Sequence, residues 1–375
     1  MKIKCVELFH ICVPFAGPYK LSKKYGTLTH AHAVAFKVHT DSGIVGLGEA
    51  DPMNPFTEET PASVMMVAKD HIAPLIIGKD PQEIPRIESE LDQMVSGNLT
   101  ARGAINMALF DIKGKACNLP VYSLIGGLYH KQLPLLGAIG SGTPEEDQIA
   151  IANLVNEGHT TVMIKMGTLP IDKEIKRMIS ARERFGKDIC FVVDANQAWS
   201  VFETLAFIDG CRGYLPDLIE QPVAYHDIHG LKRIRDTSPV PISADESLMT
   251  THDAQTLIRE RAVDVMSIKV SKNGGIRKAK LIADSLGLFG YQCLMNSMLE
   301  FGITQAASLH IGCTLNNLIP AGHAYGSVLR MSDDITDFEK NISHGTVMVP
   351  KESGLGIALN EEKLKKYTQA YLKIE

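Results

Sequence analysis

Val162-Met163-Ile164-Lys165, Phe191-Val192-Val193-Asp194-Ala195-Asn196, Asp217-Leu218-Ile219-Glu220-Gln221-Pro222, Pro241-Ile242-Ser243-Ala244-Asp245-Glu246-Ser247 and Val265-Met266-Ser267-Ile268-Lys269 are five short apolar runs, each closing on residues able to do chemistry. From Lys165 the steps to Asp194, Glu220, Asp245 and Lys269 are 29, 26, 25 and 24 residues. A step near 25 suits one strand and one returning helix, the rhythm of a closed parallel (β/α) barrel with its chemistry at the C-terminal strand ends. Three acids on consecutive strand ends, with a lysine on either side, make a candidate metal site flanked by two bases.

Working outward, the same rhythm predicts eight barrel strands, at about 134–140, 160–166, 189–195, 216–221, 240–245, 264–270, 291–297 and 316–321. Helical stretches at 144–157 and 171–185 fall between them. Upstream, residues 1–9 and 33–49 read as strands, the second a hairpin turning at Asp41-Ser42-Gly43. Helices follow at about 60–73, 81–94 and 101–116, the last with a small face at Ala104 and Ala108. This leading part has no 25-residue repeat and reads as α+β. The organisation expected is a capping unit over 1–128, a barrel over 129–330 and a segment over 331–375 that ends in a helix to Tyr371 and returns to the cap.

At 375 residues the chain is long enough for a barrel of roughly 250 residues and a smaller partner. Hydrophobic content of 45% is in the globular range. A net charge of −5 without a basic block argues against a nucleic-acid surface. No apolar run approaches the ~20 residues that cross a bilayer, and the first residues alternate like a strand rather than a signal peptide. The seven cysteines contain no CxxC pair, which suits free thiols in a reducing, cytoplasmic setting. His30 and His32 lack the companions of a metal set and read as packing or surface histidines. Gly274-Gly275 reads as a tight turn.

The chain resembles the enolase superfamily, in its muconate lactonizing enzyme (muconate cycloisomerase) subgroup. The resemblance rests on Gly46-Leu47-Gly48-Glu49, residues 104–115, Leu124-Ile125-Gly126-Gly127, Val193-Asp194-Ala195-Asn196-Gln197-Ala198-Trp199, Ile219-Glu220-Gln221-Pro222, Ala244-Asp245-Glu246-Ser247, Lys269-Val270-Ser271-Lys272-Asn273-Gly274-Gly275 and Met298-Leu299-Glu300. It implies a modified (β/α)8 TIM barrel under an α+β cap built from both termini. It also implies one divalent metal, Mg²⁺ with Mn²⁺ as the substitute, and removal of a proton α to a carboxylate through an enediolate. Family members often form dimers or octamers, so a homo-oligomer is expected.

Asp194, Glu220 and Asp245 match the family's metal ligands, three hard oxygen donors for an ion that wants six. Lys165 and Lys269 match its acid–base lysines. A lysine accepts a proton only when neutral, so its pKa must fall from ~10.4 toward ~7–8. Asn196 shares strand parity with Asp194 and is expected at the mouth. Glu246 follows the third ligand and is expected to point away from it, near the lysines. Glu300 is expected to bond a lysine, contact substrate or support the site from behind, with Ser297 beside it. Residues 14–26, with Tyr19 and Tyr25, and 51–57, with Asn54 and Phe56, fall where relatives place mobile loops over the mouth.

One position departs from the pattern. The subgroup's Lys-x-Lys begins here with Met163, on the same strand face as Lys165. A second cation there would disfavour charge on Lys165 and attract an anionic substrate; methionine does neither. A substrate carrying its own cation, such as an amino acid, betaine or proline derivative, would replace that charge, and certain proline-betaine epimerases of the superfamily also lack this lysine. Met163 as neutral filler, with an ordinary organic acid as substrate, stays open. The expected reaction is racemisation or epimerisation, or dehydration, of an amino-acid-derived carboxylate. Muconate-type cycloisomerisation and an o-succinylbenzoate-synthase-like dehydration are the alternatives. A catalytically silent binding protein would need a broken constellation, and all five core positions are intact.

Overall fold

The computed structural model describes all 375 residues. An antiparallel meander opens the chain: β1 (Ile3–Lys20), β2 (Thr27–Thr40) and β3 (Val45–Ala50). The first two strands run further than expected. Residues 14–26 were expected as a loop, yet β1 and β2 stay paired as far as Lys20↔Thr27, with a register shift between Pro14 and Tyr19. Only the turn at residues 21–26 is left of the expected mobile loop at 14–26. The helix Leu99–Cys117 lies on the meander through its small face. A Cβ on Gly48 would stand 1.9 Å from the Ala104 carbonyl oxygen, so glycine is what lets the two backbones meet.

The short strand β4 (Gln132–Pro134) leads into β5 (Leu136–Ile139), β6 (Thr161–Lys165), β7 (Cys190–Asp194), β8 (Leu218–Glu220), β9 (Ile242–Ala244), β10 (Val265–Ile268) and β11 (Gln292–Met295). From β5 to β11 these form one parallel sheet in chain order. The eighth expected strand, 316–321, is not one. Leu318 bridges Cys293 and His323 bridges Leu135, each as a single parallel bridge. Pro320 has no N–H to give a ladder there. Bonds from Ile319 N to the Cys293 carbonyl and from Leu136 N to the His323 carbonyl still close the ring. Thr143, Ser200 and Thr250 each form a capping box that starts a returning helix at a strand-end loop.

The tail adds β12 (Ile342–Ser343) and β13 (Thr346–Met348), which pairs with β4. The expected last helix stops at Tyr367, and Thr368–Ile374 forms β14, antiparallel to β1. The run Thr-Gln-Ala-Tyr-Leu-Lys-Ile alternates with period two, and an open sheet edge gave it a partner. A continuous core of 89 buried residues extends from the meander into the barrel wall. A separate layer of Leu136, Met163, Val192, Leu218, Val265, Leu294 and Ile319 fills the barrel interior. All seven cysteines are free, and no helix is long and apolar enough to cross a membrane.

His310 joins three parts of this assembly. Its Nδ1 accepts from Tyr122 N at 3.3 Å and its Nε2 donates to the Leu355 carbonyl at 3.1 Å, which fixes a neutral ring. Burial lowers its pKa to about 4. The native state therefore binds fewer protons than the unfolded chain. The stability this contributes is complete above about pH 6.5 and is lost as pH falls through the folded value. In urea titrations from pH 7 to 4, His310→Gln is expected to lose on the order of 2–3 kcal/mol less than the parent. Equal acid slopes for the two proteins would refute this.

Candidate active site

Lys165 ends β6 and Lys269 follows β10, four staves apart in the ring and therefore on opposite sides of its mouth. The three strands between them, β7, β8 and β9, end at Asp194, Glu220 and just before Asp245. Backbone register aligns Lys165 with Asp194 and Asp194 with Glu220. All three acids are at most 1% exposed. Asp194 is held by the Lys165 ammonium. Asp245 takes Lys269 Nζ on Oδ2 at 2.6 Å and Lys272 Nζ on Oδ1 at 2.7 Å. Glu220 has neither. Its Oε1 accepts from Asn296 Nδ2 at 2.6 Å, and its Oε2 is buried without any partner.

Burial, together with the charges of Asp194 and Asp245, raises the Glu220 carboxyl well above its ordinary value. Burial also raises Asp245, but Lys269 and Lys272 outweigh it and hold that carboxyl near 2. Burial lowers the Lys165 ammonium, and Asp194, Tyr19 and Glu220 outweigh this to leave it raised. Lys269 is raised for the same kind of reason by Asp245, Glu220 and Glu246. Lys272 is lowered, because burial and Lys269 together exceed the pull of Asp245. In this state both candidate bases are ammonium ions clamped by acids.

A cavity of about 360 Å³ opens onto Lys165, Lys269, Asn196 and Ser297. Tyr19, Tyr25 and Phe56 line it as expected, with the Phe56 ring 4.3 Å from Lys269 Nζ and 5.7 Å from the Tyr25 ring. Asn54 does not; it faces a neighbouring cleft and bonds within its own loop, to the Thr57 carbonyl. Met163 lies in the apolar barrel layer at the cavity floor. Glu246 lies near Lys269 as expected, but it does not point away from the mouth. Strand β9 stops at Ala244, so alternation no longer governs it, and its Oε1 accepts from Tyr25 Oη at 3.0 Å and Asn196 Nδ2 at 3.4 Å. Burial, then Asp245 and Asp194, push its carboxyl up to about 7. Asn196 also lies past its strand, in left-handed backbone at φ 44°, with its N–H on Asp194 Oδ1. Glu300 bonds no lysine. It sits behind Ser297, accepting from that hydroxyl and from Gln305, and burial with Asp51 raises it to about 7.

Four contributors escaped the sequence reading. Lys272 entered only as part of the motif after Lys269, with no role of its own. Gln221 adopts φ 34°, and its Oε1 accepts from Asp245 N and Ser247 N, fixing the third acid's loop. Asn296 orients Glu220. Gln197, at φ 66°, donates to Tyr25 Oη. No local pattern marks an amide as a cross-strand brace; the only sequence signal was that Gln221 follows Glu220 and Gln197 lies three residues after Asp194.

No three acid, histidine or cysteine side chains converge on one point, since Asp194 and Asp245 are turned to ammonium groups. The donor set nonetheless suits a hard divalent cation. Three carboxylates occupy adjacent strand ends, and one of their oxygens is buried and orphaned.

Residues 5–126 match the family described as mandelate racemase / muconate lactonizing enzyme, N-terminal domain, and residues 147–363 match enolase C-terminal domain-like. The N-succinyl-L-Arg/Lys racemase of Bacillus cereus is 32% identical over 98% of each chain. A chloromuconate cycloisomerase of Cupriavidus necator is 31% identical over 99% of this chain and 100% of its own. The crystal structure of the Bacillus cereus racemase superposes with a TM-score of 0.96 over 100% of both chains at 31% identity.

Glu220→Gln tests the electrostatics without substrate. Because the folded Glu220 carboxyl is raised, its charge costs stability as pH climbs above the ordinary carboxylate range. In chelator, the variant is expected to melt at or above the parent's temperature at pH 8, with the difference shrinking toward pH 4. A variant that melts lower at pH 8 would contradict the assignment.

Proposed function

This chain belongs to the mandelate racemase/muconate lactonizing enzyme family of the enolase superfamily, and on that footing we propose that it moves a proton on the carbon α to a carboxylate, using Lys165 and Lys269 as an acid–base pair. The observation that carries the reading is two ammonium groups, Lys269 buried and Lys165 largely so, on opposite sides of one cavity, with three buried carboxylates on the strands between them. A divalent cation held by Asp194, Glu220 and Asp245, Mg²⁺ by the donor set, would supply positive charge to the substrate carboxylate and so acidify its α-hydrogen.

Lys165 takes the proton from one face of the α-carbon, and Lys269 returns one to the other. Phe56 covers Lys269 and keeps water from that face. Tyr25, bonded to Glu246 and Gln197, fastens the capping turn over the mouth. Lys272 stays on Asp245 and holds that carboxylate in place while Lys269 moves protons. Exchange across two faces is racemisation or epimerisation, and the substrate class we assign is an amino-acid-derived carboxylate. Support comes from the neutral Met163 beside Lys165 and from the Bacillus cereus relative, named as an N-succinyl-Arg/Lys racemase. Cycloisomerisation is the second reading, favoured by the nearly equal identity to the chloromuconate enzyme. There one lysine transfers the proton and the other stabilises charge.

In deuterated water with Mg²⁺, N-acyl amino acids are expected to exchange their α-hydrogen, and both enantiomers to appear. Lys165→Ala and Lys269→Ala should each lower turnover by about 10²–10⁴-fold, while each retains exchange of the one enantiomer that faces the surviving lysine. Exchange of both enantiomers by either variant would exclude the two-base arrangement, and no exchange from any carboxylate would exclude the function.

A further inference from the structure

His30 and His32 have no companion for a metal set near them in sequence. The pairing of β1 with β2 supplies one from across the sheet. Cys12 is the register partner of His32, and Pro14 that of His30, so His10, Cys12, His30 and His32 share one face of the antiparallel pair. His10 Nε2 and His32 Nδ1 stand 3.2 Å apart, and the ring centroids 5.4 Å. Two imidazole nitrogens bound to one tetrahedral Zn²⁺ at ~2.0–2.1 Å lie about 3.3–3.4 Å from each other. The spacing of these two rings is close to the edge of such a tetrahedron, and a small rotation of either ring turns both lone pairs to a shared ion.

Two further features suit coordination. A histidine that binds a metal through one nitrogen is held by a partner on the other, and His32 Nε2 faces Cys12 Sγ at 3.8 Å. Imidazole coordinates only in its neutral form; burial, together with the neighbouring rings, lowers the pKa of both His10 and His32. His30 turns aside, its Nδ1 bonded to Thr29 Oγ1 at 3.0 Å. No third histidine, cysteine or acid converges with the pair. Water can complete the coordination, because His10 and His32 line the cleft of about 660 Å³ that Asn54 faces.

The position gives such an ion a consequence. Beyond Pro14 and His30 the two strands continue as an arm, its pairing interrupted before Tyr19↔Leu28, and the turn at its end brings Tyr25 to Glu246. His10 and His32 stand at the base of that arm, one on each strand. We propose that they bind a borderline divalent cation, Zn²⁺ or its neighbours Ni²⁺ and Cu²⁺, which clips β1 to β2 beneath the part of the cap that covers the barrel mouth. Imidazole nitrogen suits these ions, whereas Mg²⁺ takes oxygen. The pair shares no residue with the carboxylates at the strand ends, so the two cations are distinct in place and in chemistry.

The test uses Zn²⁺ as the probe, titrated calorimetrically into the full chain in saturating Mg²⁺. His10→Gln, His32→Gln and, as the control on the same face, His30→Gln are treated alike, after their melting in chelator has been compared with the parent's. The parent and His30→Gln should take up one Zn²⁺ that His10→Gln and His32→Gln do not. Amide hydrogen exchange over residues 10–34 should slow when Zn²⁺ is added to the parent and stay unchanged in His32→Gln. Equal Zn²⁺ uptake by the parent and by either of the two ligand variants would overturn the proposal. So would an equal loss of uptake in His30→Gln, or uptake by the parent that leaves exchange in these two strands as it was.

Discussion

Three carboxylates placed side by side at the ends of neighbouring buried strands cannot all stay charged unless cations are brought to them. Their removal from water costs several kcal/mol each, and mutual repulsion adds to it. Here Asp194 and Asp245 are satisfied by Lys165, Lys269 and Lys272, and Glu220, between them, is not. That unequal balance organises the mouth of the barrel. It turns both candidate bases into ammonium ions and leaves one orphaned oxygen where a further positive charge is most strongly favoured.

Much of the surrounding structure holds this arrangement in place. Asn196, Gln197 and Gln221 all sit in left-handed backbone just after β7 and β8, at a cost of about 1–3 kcal/mol for each such residue. In return the loops present an N–H to Asp194, an amide to Tyr25 and two contacts to the loop of Asp245. The cap is tied to the same place: Tyr25 reaches Glu246, and Phe56 lies over Lys269. Closure of the mouth and charge balance within it therefore share residues.

The parts of the fold legible in the sequence were those set by periodicity. The 25-residue step located seven strands, and the acids and lysines at their ends follow from that step alone. The eighth strand failed because Pro320 and the following turn interrupt pairing in a run whose apolar pattern looked like its neighbours'. The tail strand and the long β1–β2 pair failed because a distant sheet edge overrode local signals at Tyr371 and Pro14. The direction of Glu246 was misread for a related reason: side-chain alternation holds only while the strand lasts, and β9 is three residues long. Lys272, Gln221 and Asn296 were not legible, since each depends on contacts between segments remote in sequence.

The account turns on the lysine side chains exchanging an acid partner for a neutral state when positive charge is placed among the carboxylates. The direct measurement is the titration of Lys165 and Lys269 by lysine-selective nitrogen NMR, first in chelator and then with saturating Mg²⁺. In chelator both should remain protonated beyond the ordinary lysine range, as their acid partners require. With Mg²⁺ at least one should fall by several units toward neutrality. Two lysines whose titration is the same with and without Mg²⁺ would contradict the account.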